Sequence, residues 1–124
     1  MRNVGAYKSN AVESATPARV VVMLYEEAIR RLVLVQMGMP EGGQVWREHL
    51  HHARAILGEL EIALDDQAAP DLCARLRALY RWSMSELIAA GSEVSVERVA
   101  KVERVLTTLG EGWREAAVRV GEAR

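Results

Sequence analysis

Trp46, Leu50, Ala53, Leu57, Leu60 and Leu64 are spaced 4, 3, 4, 3, 4 along the chain. That period places all six on one side of an α-helix, whereas a strand would need a period of two. A seam of this kind must be buried against other elements, so it constrains the fold more than any other feature. Three further stretches carry a comparable pattern. One runs from Thr16 to about Met37, with Thr16 as N-cap and Pro17 at the first helical position. Another starts near Asp71 and aligns Leu72, Leu76, Leu79, Tyr80, Ser83 and Leu87. The last uses Val99, Val102, Leu106, Leu109, Trp113, Ala117 and Val120.

The breaks between them are short. GMPEGG after Met37, DDQAAP after Leu64 and Gly91 with Ser92 or Ser95 supply the expected stops and caps. Such connections suit antiparallel neighbours. The expected fold is therefore all-α, an antiparallel up-down four-helix bundle over residues 16–124, preceded by an N-terminal arm of residues 1–15. The first helix has an unusual surplus. Val20, Val21, Val22, Leu24, Tyr25, Ala28, Ile29, Leu32, Val33 and Val35 cover more than half its circumference, against a usual stripe of roughly 100°. It should be the most enclosed helix of the bundle.

Charge and composition exclude several functions. Sixteen basic residues face seventeen acidic ones, for a net charge of −1, so no field suited to nucleic acid or an anionic membrane surface is present. The apolar run VVVMLY is far shorter than the ~20 residues of a membrane span. With a single cysteine, Cys73, no internal disulfide can form, which suits a reducing, cytoplasmic setting. Cys73 reads as a small core residue.

No catalytic or cofactor signature emerges. There is no GxSxG elbow and no glycine-rich phosphate loop. Asp65 and Asp66 read as a solvated turn. A bundle can hold paired metals through two Glu-x-x-His motifs, but only Glu48 and His51 form such a pair. All three histidines lie at 49, 51 and 52, and Glu48 and His51 point away from the leucine seam. No catalytic residue, metal or cofactor is expected.

Surface patterning points to a protein partner. Ala55, Gly58 and Ile62 form a small or apolar strip on the second helix, flanked by Arg47, Arg54 and Glu61 on one side and Glu48 and Glu59 on the other. Trp82 on the third helix and Val105 on the fourth stand off their seams, as interface anchors do. Grooves lined this way accept an amphipathic helix.

Several residues then resemble a known family. Tyr7, Asn10, Val12, Ala15 and Pro17, followed by Met23-Leu24-Tyr25 and Ala28-Ile29, are similar to the N-terminal pattern of the FliS family of flagellar secretion chaperones. Glu59-Leu60, Leu79-Tyr80, Leu109 and Trp113 continue the resemblance to about residue 117. The chain departs from the family pattern at Glu26-Glu27, where an Asp-Gly-like pair often stands. The resemblance implies a cytoplasmic, non-enzymatic chaperone that binds the disordered C-terminal segment of flagellin. It implies that Tyr7, Asn10 and Val12 belong to an arm that covers or shapes the groove. Ala55, Gly58, Ile62, Trp82 and Val105 are the groove candidates. Further partners consistent with this reading are the flagellar export gate, a co-chaperone or an anti-sigma factor. A helical adaptor or regulator of another flagellar protein is the alternative.

Overall fold

The structure, a computed structural model, describes residues 17–122. Four helices run in chain order: α1 Pro17–Gly38, α2 Val45–Ile62, α3 Pro70–Glu93 and α4 Val96–Glu122. Each helix packs against its sequence neighbours, and α4 closes the ring against α1. This is the expected up-down bundle, with no strand among the described residues. Thr16 lies outside the described residues, and Pro17 is the first helical residue as expected.

Two neighbours cover most of the surplus on α1, although Val33 stays exposed. Val22, Tyr25, Ala28, Leu32 and Val35 are buried. Val21, Leu24 and Ile29 are partly buried and pack onto the core from either side. The helix lies along both α2 and α4, more closely than α3 does. On α2, Trp46, Leu50, Ala53, Leu57 and Leu60 are buried as the seam requires.

Two local expectations change. Gly91 does not end α3, which continues to Glu93. The stop is Val94, in the left-handed region at φ 54°, with the Ser95 amide donating to the Ala90 carbonyl at 3.0 Å. This is a Schellman-type ending, here without its usual glycine. Ser95 then caps α4 by accepting the Arg98 amide at 3.2 Å, so only Val94 and Ser95 join α3 to α4. Leu72, expected in the seam, is half exposed because Cys73 occupies the inward position beside Leu76. The Cys73 thiol donates to the Asp65 carbonyl at 3.2 Å, closing the α2–α3 turn.

Within the core, the Tyr25 and Tyr80 hydroxyls hydrogen-bond at 2.6 Å, linking the diagonal helices α1 and α3. Burial raises both phenols above their ordinary range. The pair is therefore neutral at physiological pH and acts as a positional lock.

Glycines separate by what surrounds them. A Cβ on Gly38 would stand 2.9 Å from Trp46 Cβ, whereas around Gly58 nothing lies within 4 Å. Gly38→Ala should therefore destabilise the fold by about 1–3 kcal/mol through overpacking at the α1–α2 corner. Gly58→Ala should stabilise it by about 1 kcal/mol through helix propensity. Urea unfolding of the two variants checks the opposite signs. Equal signs would refute the assignment of Gly38 to a close approach.

Candidate partner-binding surface

The site residues sort by the seam they occupy. On α2, Arg54 and Glu61 face α3: Arg54 lines a groove with Leu87, and Glu61 pairs with Arg81 at 3.1 Å. Gly58 stands one helical turn from each, so it shares this side and is half-buried. Ala55 and Ile62 point outward, and Ile62 is 86% exposed. The strip Ala55, Gly58, Ile62 thus runs along the outer edge of α2, with Gly58 the most covered of the three. Its small and apolar groups follow that edge instead of lining one groove.

Trp82 and Val105 belong to the other flank of α3. Glu86 accepts Arg98 at 3.1 Å across the α3–α4 seam and fixes its register. Trp82 lies one turn from Glu86, and Val105 two turns from Arg98, on the same sides of their helices. Trp82 is 39% exposed and Val105 half-buried. The two are brought to one seam, separated from Gly58 by the width of α3. Tyr7, Asn10 and Val12 lie outside the described residues.

The two ends of the α2–α3 seam differ. Towards the 63–69 turn it is closed by ion pairs: Arg81–Glu61, Arg77–Glu61 at 3.9 Å and Arg77–Asp66 at 3.0 Å. The Arg77 guanidinium holds the Asp66 carboxyl below its ordinary range, while Asp65 Oδ1 accepts the Gln67 and Ala68 amides. These aspartates are turn residues, as their sequence suggests. Towards Gly91 the seam opens into a groove of about 250 Å³ over Leu50, Leu87 and Ile88, rimmed by Arg47, His51 and Arg54. Sequence reasoning missed this groove. Its signal was Gly91 within a helical stretch: a Cβ there would meet Leu50 Cδ2 at 2.9 Å, so the glycine marks a close approach of α3 to α2.

A third concave area lies on α1 itself, over Val20, Met23 and Leu24 and bordered by Arg19, Glu26, Glu27 and Arg30. It lies on the N-terminal half of α1.

Glu48 and His51 are exposed, whereas His49 turns towards α1, its Nδ1 lying 2.9 Å from an Arg31 Nη. Burial first, then the Arg31 and Arg30 charges, lower the His49 pKa. Among the described residues no three His, Cys, Asp or Glu side chains gather as a metal would require. No described helix is long and apolar enough to cross a membrane.

Comparison with known proteins gives one consistent family. The sequence model of the family described as "Flagellar protein FliS" matches residues 1–120. The chain is 27% identical over 112 residues to the flagellar secretion chaperone FliS of Bacillus subtilis, covering 90% of this chain and 83% of that protein. It is 28% identical over 109 residues to the FliS chaperone of Escherichia coli, covering 86% and 80%. Its fold is similar to a crystal structure of a bacterial flagellar chaperone, with a TM-score of 0.77, 21% identity and coverage of 94% and 98% of the two chains.

Proposed function

The chain belongs to the FliS family of flagellar secretion chaperones, and from that premise we propose that it binds the C-terminal segment of flagellin in the seams flanking α3. The observation that carries this reading is the exposed apolar surface of α3. Ile88 is 51% exposed along the α2 seam, and Trp82 and Leu72 are 39% and 50% exposed along the α4 seam. An amphipathic segment laid into either seam would cover these side chains and its own apolar face together. Hidden in this way, flagellin subunits cannot pair with one another in the cytoplasm. Ordering the segment on binding holds affinity below what the buried area suggests, which favours release at export. Gly58, Ile62, Trp82 and Val105 border the occupied surface, and Ala55 lies at its outer edge.

The N-terminal arm, residues 1–15, covers or shapes the groove when flagellin is absent, with Tyr7, Asn10 and Val12 as its contacts. The bundle begins at residue 16. Calorimetric titration with a C-terminal flagellin peptide from the same organism should give one-to-one binding, a negative heat-capacity change and induced helix in the peptide. No binding at tens of micromolar would overturn the reading. Deleting residues 1–15 should change peptide affinity and raise the binding of an apolar dye. An unchanged affinity and dye signal would remove the covering role of the arm.

A further inference from the structure

We propose that the Gly91 end of the α2–α3 groove is a carboxylate anchor. It would seat an aspartate or glutamate of the docked amphipathic segment against Arg54, with Arg47 as a second positive contact. The anchor rests on the flagellin-binding reading and deepens it, by stating what chemistry the segment must carry.

The charges around this groove are unbalanced. Its lining is Arg47, Leu50, His51, Arg54, Leu87, Ile88, Gly91 and Ser92, with no acid among them. Several arginines elsewhere on the bundle have carboxylates. Arg30 and Arg31 meet Glu27 at 2.6 and 2.9 Å, Arg81 meets Glu61 at 3.1 Å, and Arg98 meets Glu86 and Glu93, each at 3.1 Å. Arg47 has instead neutral partners: the Gln44 side-chain oxygen, the Gly91 carbonyl at 3.3 Å and the face of Trp46 at 4.2 Å. These orient its guanidinium beside the groove without neutralising it.

Arg54 is more telling. Its Nε is buried and has no hydrogen-bond acceptor. A shielded donor without an acceptor is costly, and native structures rarely keep one unless something supplies the missing partner. A carboxylate seated in the groove would accept from Nε and a terminal nitrogen together once the Arg54 side chain turns its Nε out of the shielded position, the paired geometry that guanidinium favours. The apolar floor of Leu50, Leu87 and Ile88 takes the methylenes and aliphatic neighbours of the same segment. At about 250 Å³ the groove holds one or two side chains, not a whole helix.

Spacing sharpens the partner. Arg47 and Arg54 are seven residues apart on α2, which is about 10 Å along the axis. A ligand helix lying alongside can offer one carboxylate to Arg54 and a second seven residues away to Arg47.

The test uses the full chain, the flagellin peptide and a copy of that peptide with its Asp and Glu replaced by Asn and Gln. Wild-type protein should bind the copy about tenfold more weakly, and Arg54→Gln should bind the acidic peptide about tenfold more weakly. Arg54→Gln should distinguish the two peptides much less than wild type does, keeping only what Arg47 supplies. Arg104→Gln, an exposed position on α4, should bind like wild type. If Arg54→Gln distinguishes the peptides as wild type does, the anchor fails while flagellin binding stands. If wild type binds neither peptide, the flagellin reading fails and the anchor with it. Should Arg54→Gln not fold, Arg47→Gln and Arg54→Lys carry the same comparison. Each should reduce the preference for the acidic peptide, and a full preference in both would overturn the anchor.

Discussion

Leu32→Ala should destabilise the protein by about 2–5 kcal/mol, the usual cost of truncating a fully buried leucine. Leu32 has no exposed surface and sits mid-way along α1, the helix enclosed by both α2 and α4. A cavity there cannot be filled by one neighbour without opening a gap at the other. Against a total of about 5–15 kcal/mol for a domain, that is a large fraction. Thermal unfolding should move down by on the order of 10 °C. Ile62→Ala, an aliphatic truncation at an 86% exposed position, should change stability by less than about 0.5 kcal/mol. Urea titrations of both variants, with unchanged slope, make the comparison. If the two costs were equal, α1 would not be the enclosed helix of the bundle.

Tyr25→Phe and Tyr80→Phe should each cost about 1–3 kcal/mol, while the double variant should cost much less than their sum. The two hydroxyls meet at 2.6 Å in the core. Removing one strands the other without a partner, whereas removing both leaves a plain aromatic contact. The rings remain in place either way, with centroids 6.4 Å apart. Additive costs would show that the hydroxyls contribute independently and do not lock α1 to α3. Both phenols are held above their ordinary range by burial. A phenol with a raised folded pKa stabilises the fold below the unfolded pKa of about 10, and that contribution is lost only as pH rises above it. No change from these groups is expected between pH 6 and 8.

Particular residues show how far periodicity reaches. Trp46, Leu50, Ala53, Leu57 and Leu60 were readable as one buried face because a helix carries its side chains round at a constant angle. The excess on α1 was readable as enclosure for the same reason. Gly91 was misread because a glycine near the end of a pattern usually stops a helix. Here it admits Leu50, a contact made by a residue 41 positions earlier. Trp82 and Val105 were readable as standing off their seams, but not as sharing one. The Glu86–Arg98 pair that sets their relation lies between helices. Ala55, Gly58 and Ile62 looked like one strip on a wheel, and that strip lies at the edge of α2 with Ala55 and Ile62 exposed.

The N-terminal motif and the four seams determined the family and the bundle, because both are local in sequence: a pattern of residue types and a period within each helix. Which faces stay uncovered was decided only by packing. α1 settled between α2 and α4, which cover most of its surplus apolar surface and leave Val33 and the Val20, Met23 and Leu24 patch open. α3, held more loosely in the ring, kept Leu72, Trp82 and Ile88 exposed along its two seams. The open groove beside Gly91 likewise depends on where Arg47 and Arg54 of α2 meet Leu87 and Ile88 of α3. Net charge over the whole chain could not reveal that local excess, since a sum of charges carries no positions.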